Sequence, residues 1–198
     1  MTYDFDTSVD RSGTYSLKWE EAGDALPMWV ADMEFQTAPQ IRAALQQRLD
    51  HGIFGYSIVP PEWNQAYVDW WHRRHNLDID PESLVFTTGV VPAISSMVRK
   101  LTTANENVLI QTPVYNIFFN SIINNGCRVL ESPLEYDGSG HYSINWADLE
   151  SKLADPQTTL MILCNPHNPV GRIWDRDTLA CIGDLCWNHH VTVILSLI

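Results

Sequence analysis

Thr159–Gly171, TLMILCNPHNPVG, runs an unbroken apolar stretch straight into a doubled Asn-Pro step. A short apolar run bounded by turn residues reads as a strand buried on both faces. Proline removes a backbone donor and holds the residue before it extended, so Asn165-Pro166 and Asn168-Pro169 end the strand in a stiff, turning connection. A strand covered on both sides belongs to a parallel sheet with helices on its faces.

The same alternation extends in both directions. LVFTTG (84–89), VLIQ (108–111), RVLESPL (128–134) and VTVIL (191–195) read as strands, and residues 91–103, 114–125, 146–154 and 175–189 as helices, with Asn145 opening the third of them. YDGSGHYSI (136–144) suggests a hairpin-like turn. Strands separated by helices predict an α/β fold with a mostly parallel sheet. Upstream, Thr37 is a candidate cap, Pro39 suits a first turn, and Ile41, Ala44, Leu45 and Leu49 recur at helical spacing up to Gly52. Pro61 opens a further helix with Trp63, Tyr67, Trp70 and Trp71 on an aromatic face. Residues 1–36 show no sustained period and read as an extended N-terminal arm. The remainder, 37–198, reads as one incomplete large domain.

Bulk properties exclude several functions. A net charge of -12 with only 12 Lys and Arg argues against nucleic acid, whose phosphates require clustered cations. No stretch approaches the roughly 18 consecutive apolar residues of a membrane span. The polar, acidic start MTYDFDTSVDRSG is unlike a signal peptide, so the expected location is the cytoplasm. The spacing of Cys181, Cys186, His189 and His190 fits no standard zinc pattern; the four cysteines read as buried thiols, and no metal is expected.

Ligands of open α/β sheets sit beyond the carboxyl ends of the strands, and three segments fall there. Thr87-Thr88-Gly89-Val90-Val91 lets backbone amides approach an anion at a helix start. Gln111-Thr112-Pro113-Val114-Tyr115 puts an aromatic where it can stack on a planar ring. Asn165–Gly171 can hold the Asn168 amide rigidly as a donor. Each has a bland alternative: a tight turn, a core tyrosine, a plain turn. His167 reads as structural or exposed.

NPHNPVG resembles the NPxNPxG signature of fold-type I pyridoxal-phosphate (PLP) enzymes, the class I/II aminotransferase superfamily. DRSGTYSLKWE (10–20), LPMWVADMEF (26–35), HGIFGYS (51–57), TTGVVPAI (87–94) and QTPVYNIFF (111–119) are similar to the MalY/PatB-type cystathionine β-lyases within it. The resemblance implies an aminotransferase-like large domain with PLP as cofactor. It also implies a β-lyase reaction on a small sulfur-containing amino acid, giving pyruvate, ammonia and a thiol such as homocysteine. Gly89, Val90 and Val91 would cradle the cofactor phosphate, Tyr115 would stack on its ring, and Asn168 would bond its phenolic oxygen. Tyr56 would reach the phosphate of a neighbouring subunit in a homodimer, and Trp29–Asp32 would line the substrate entrance. A class I/II aminotransferase is the alternative, and a non-catalytic remnant or binding module is another.

The resemblance also implies a Schiff-base lysine and a carboxylate on the ring nitrogen. The chain has three lysines, Lys18, Lys100 and Lys152, all expected to be solvated surface charges, and none matches the family's lysine motif. Relatives continue the last strand into Ser-Asp-Glu-Ile-His, where this sequence reads VTVILSLI. The chain therefore reads as a truncated fragment that is inactive alone, with no catalytic residue, and its uncovered last strand as an aggregation hazard.

Overall fold

The computed structural model describes residues 3–197, which divide into two compact units, one ending at Pro60 and one beginning at Pro61. The division expected at residues 36/37 falls inside the first of them.

In the first unit the arm is not wholly extended: Leu17–Glu20 forms a short helix, α1. Helix α2 spans Pro39–His51 with Pro39 in its first turn, and Gly52 closes it at φ 72°, a left-handed conformation that glycine adopts at no steric cost. The position before α2 is Ala38, which makes no side-chain cap, so the expected Thr37 cap does not form. Ile41, Leu45 and Leu49 share a face as their spacing requires, yet α2 buries no residue. The two arm motifs are joined by charge. Arg11 Nη1 lies 2.7 Å from Asp32 Oδ2, while the Glu34 carboxylate accepts from Lys18 Nζ at 2.8 Å and Trp19 Nε1 at 3.0 Å. Lys18 also donates to the Asp32 carbonyl and is buried, at 8% exposure, rather than a solvated surface charge.

The second unit begins with α3 (Pro61–His75), along which the rings of Trp63, Tyr67, Trp71 and His75 follow one another with centroids 4.8–6.0 Å apart, the first pair stacked and the others tilted. A short 3-10 turn (Pro81–Ser83) and α4 (Val90–Leu101) follow. Then come β1 (Asn107–Ile110), α5 (Ile117–Ile123), β2 (Arg128–Glu131), a two-residue-per-strand hairpin of β3 (Glu135–Tyr136) and β4 (Tyr142–Ser143), α6 (Trp146–Leu153), β5 (Thr158–Cys164), α7 (Arg176–Asn188) and β6 (Thr192–Ser196). Asn145 and Asp175 cap α6 and α7 by accepting from Asp148 N at 3.0 Å and Thr178 N at 2.8 Å. Each such cap contributes about 1 kcal/mol.

The main sheet is parallel throughout, in the order β2-β1-β5-β6. Alternation sends Val108, Ile110, Leu160 and Ile162 to one face, against Ile94 and Val98 of α4 and Phe118 and Ile122 of α5. It sends Leu109, Met161 and Leu163 to the other, against Leu149 and Leu153 of α6 and Ile182 and Cys186 of α7. Cys127, Cys164 and Cys186 are buried thiols, whereas Cys181 is exposed on α7. Burial pushes the Cys186 thiol up to about 11. LVFTTG is not a strand: Leu84–Gly89 is irregular, with Val85 and Phe86 exposed. A strand needs a ladder partner, and among the described residues none pairs with this segment. Among the described residues no helix is long and apolar enough to cross a membrane, and no three metal-ligating side chains gather.

Two outcomes check this packing. Phe118→Ala, at a fully buried site between α4 and α5, is expected to lower unfolding free energy by about 3–5 kcal/mol in urea titration. Exposed Trp187→Ala should change it by no more than about 0.5 kcal/mol. In the first unit, the Lys18 hydrogen bond above all holds the Glu34 carboxyl below its ordinary 4.5, against a smaller desolvation cost. Because that value is depressed on folding, the clasp contributes fully above pH 4.5 and loosens as pH falls through Glu34's lowered value. The Trp19 indole N–H resonance should move over that acid range, and should be flat there in Glu34→Gln.

Candidate functional site

The sheet winds in two directions from its centre. β1 proceeds through α5 to β2 on one side, and β5 through α7 to β6 on the other, with α5 and α7 on opposite faces. Between adjacent β1 and β5 the two connections diverge and leave a crevice at the carboxyl ends, where ligands of open α/β sheets bind. The loops bordering it are 111–116, which carries Tyr115, and 165–171, which carries Asn168.

The third segment lies at the same end. Helix α4 leads into β1 through residues 102–106, so it runs back along the strand and turns its first residues toward the strands' carboxyl ends. Consistent with this, Thr87, Gly89 and Val90 line one groove with Ile194–Leu197 at the end of β6. Gly89 precedes the helix at φ 158° and ψ 169°, a combination essentially confined to glycine. A Cβ there would meet only Pro92 Cδ, at 3.6 Å, so backbone conformation and not space selects the residue. Val90 and Val91 are exposed, and their amides belong to the first turn, which has no intrahelical acceptors.

Tyr115 is half-buried, packed edge-on against Phe118 with ring centroids 5.8 Å apart. The loop after β5 is tied down at nearly every residue. Asn165 N donates to Ser196 O at 3.0 Å, and Asn165 Oδ1 accepts from Trp174 N at 2.9 Å. Asn168 N donates to Cys164 Sγ at 3.5 Å, Gly171 N to His167 O at 2.9 Å, and His167 N to Arg172 O at 2.6 Å. The backbone beneath the half-buried Asn168 side chain is therefore rigid. The bonds Thr112–Pro113, Asn165–Pro166 and Asn168–Pro169 are all cis.

Sequence reasoning reads His167 as structural or exposed, and gives Gln111 and Ser196 no role of their own. His167 is buried at 1% exposure, and its Nε2 donates to the Pro113 carbonyl at 3.0 Å, across 54 residues of chain. Burial pushes the imidazole below its ordinary range, with the Pro113 and Gln111 backbone pulling back less strongly. Gln111, just past β1, is 2% exposed, and its side-chain amide has no partner among the described residues; the same holds for Ser196 Oγ at the end of β6. Orphaned polar groups at a sheet's carboxyl end are a signature of a site, and no local pattern announces them.

The arrangement brings Gly89, Val90, Val91, Tyr115 and Asn168 to one end of one unit. Tyr56 lies in the other unit, in an irregular stretch, and is fully exposed. Within the second unit, neither lysine offers a nucleophile at this end. Lys100 is ten residues along α4 from Val90, about 15 Å at helical rise, and Lys152 Nζ is engaged by Asp148 at 2.7 Å on α6.

Residues 27–196 match the model of aminotransferase class I and II. Over 197 residues the chain is 47% identical to the cystathionine beta-lyase PatB of Bacillus subtilis, covering 96% of this chain and 50% of that protein. It is 37% identical to the protein MalY of Escherichia coli, covering 97% and 51%. The PLP-bound C-S lyase from Staphylococcus hominis superposes with a TM-score of 0.90 at 32% identity, over 100% of this chain and 52% of that one. The chain spans about half the length of the curated relatives it matches. With its motifs in order and its sheet wound as in a solved relative, the chain belongs to the aminotransferase class I and II family.

Proposed function

We propose that this chain is the cofactor-holding portion of a PLP-dependent carbon–sulfur β-lyase of the cystathionine β-lyase type. The intact enzyme would take a small sulfur-containing amino acid and release pyruvate, ammonia and a thiol. The observation that carries the reading is that three motif segments lie at the carboxyl end of one parallel sheet, in a chain so similar to a cystathionine β-lyase.

The residues present fit the non-covalent part of such a site. The amides of Val90 and Val91, in the field of the α4 N-terminus behind Gly89, would hold the phosphate; a helix start favours an anion by about 0.3–1 kcal/mol. Tyr115 would cover one face of the ring and keep water from it. The Asn168 amide would donate to the phenolic oxygen, fixing the ring's rotation in the crevice. When bound, PLP supplies the electron sink for charge developing at a substrate's α-carbon. The three lysines leave the covalent role unfilled, so the chain taken alone is proposed to bind without turning over.

The many exposed apolar side chains of the first unit, among them Trp29, Phe54, Tyr56 and Ile58, support a homodimer in the intact protein. Tyr56 would serve the partner subunit's phosphate, and Trp29–Asp32 the substrate entrance. The cytoplasm is the proposed location. The family description favours one second reading, a class I/II aminotransferase.

Pyridoxine 5′-phosphate has the ring, phenol and phosphate but no aldehyde, so it probes the non-covalent cradle alone. Equilibrium dialysis should show it binding the chain, competed by inorganic phosphate. Tyr115→Ala should weaken it by about 2–10-fold, the worth of one aromatic stack. Absence of binding, or indifference to Tyr115, would count against the cradle. Joining residues 1–196 to the remaining half of the Bacillus subtilis relative tests the reaction. Release of pyruvate from cystathionine is expected, and amino transfer to a 2-oxo acid without it would favour the aminotransferase.

A further inference from the structure

We propose that His167 is a positioning residue: an imidazole strut that sets the spacing between the Asn168 loop and the Tyr115 loop, and through it the grip on the cofactor ring. This rests on the reading of Tyr115 and Asn168 given above.

The geometry leaves His167 one role. A carbonyl oxygen only accepts, so the 3.0 Å contact with Pro113 O requires the proton on Nε2. The ring has no route to a substrate: it is 1% exposed and stands edge-on to Trp174, with centroids 5.9 Å apart. Both its backbone groups are bonded inside its own loop, N to Arg172 O and O to Gly171 N. The side chain thus reaches out from a segment that is otherwise internally braced.

What it reaches is placed for leverage. Pro113 lies two residues before Tyr115, and His167 is the direct neighbour of Asn168. The two loops border the crevice from β1 and β5, adjacent strands whose pairing runs from Val108 with Leu160 to Ile110 with Ile162 and ends there. Beyond the last ladder pair the sheet no longer sets their separation. A hydrogen bond from ring to carbonyl restores a fixed distance one layer above the sheet. Pro113 has no N–H, so only its carbonyl can take part in such a link.

The phosphate end of the cradle, at α4, does not depend on this strut, and that separates positioning from general stabilisation. Three variants of the chain suffice. His167→Leu removes the donor at similar size, His167→Gln can return an N–H near the Nε2 position, and Leu153→Ala weakens the core on α6, remote from both loops. Affinities for pyridoxine 5′-phosphate and for inorganic phosphate are read by equilibrium dialysis, and loop order by amide hydrogen exchange. His167→Leu should weaken pyridoxine 5′-phosphate by about 5–10-fold, the worth of one neutral hydrogen bond, and leave inorganic phosphate unchanged. Exchange should quicken in 111–119 and 165–172 together. His167→Gln should restore most of the affinity, and Leu153→Ala should leave the ratio of the two affinities unaltered.

The strut is overturned if His167→Leu binds pyridoxine 5′-phosphate like the parent chain, if both ligands weaken equally, or if His167→Gln rescues nothing. In those cases the cofactor reading survives, because the parent chain still binds. If the parent chain fails to bind pyridoxine 5′-phosphate, that reading falls and the strut with it.

Discussion

The reversal of winding between β1 and β5 is the constraint on which the rest of the second unit depends. A parallel sheet with helices on both faces spends its backbone donors and acceptors in the ladder and its side chains in two cores. Val108 to Ile110 and Leu160 to Cys164 are nearly all fully buried, so neither face can hold a ligand. Only the strand ends remain, and at most of them a connection folds back over its own edge. Where the chain leaves β1 toward α5 on one face and β5 toward α7 on the other, no connection covers the gap. The same geometry turns the first residues of α4 toward the carboxyl end of the sheet, because a helix that precedes β1 through a short link must run antiparallel to it. An anion-attracting helix end and two loops thus share one end of the sheet without any residue having been chosen for the purpose.

The sheet was legible in the sequence because burial on two faces leaves uninterrupted apolar runs, and each run from residue 107 onward became a strand within a residue or two at its start. LVFTTG failed by the same logic: its composition suits a strand, but ladder pairing is a property of two segments, and only one is present among the described residues. Helix α2 has the right period and no buried face, since periodicity says which residues share a side and nothing about what covers it. The candidate site was legible where residues act through their own backbone or local turn, as at Gly89 and the Asn-Pro steps. It was illegible where a side chain acts across the fold. His167 and Pro113 stand 54 positions apart, and neither residue type advertises the other.

Lys18 teaches the converse about charge. A lysine between a leucine and a tryptophan in an acidic chain reads as a solvated cation, yet it is buried beside Glu34 and the Asp32 carbonyl. The carboxylate that receives it also accepts from Trp19 and Arg11, so each partner's desolvation is offset by a shared acceptor. Ion pairs with half-exposed carboxylates contribute little stability, but several bonds to one carboxylate fix the groups that share it. That suits a segment almost without regular structure, where α1 is four residues long and apolar packing is sparse. Charge fixes the arm's course, and its apolar side chains remain outside.

The lysine positions separate two tasks that a PLP enzyme ordinarily performs together. Holding a phosphorylated ring needs a helix end, a flat neighbour and a directed amide, all of which one parallel sheet can bring to its carboxyl end. Covalent attachment needs an amine within bonding distance of the same ring. Lys100 lies about 15 Å from Val90 along α4, at the helix's negative end, whereas Val90 and Val91 lie at its positive end. A cation late in a helix is stabilised by that dipole where it is. On α4 the cradle and the amine are therefore separated by the length of the helix. In the second unit three candidate loops share one end of the sheet, and Lys100 and Lys152 both lie elsewhere.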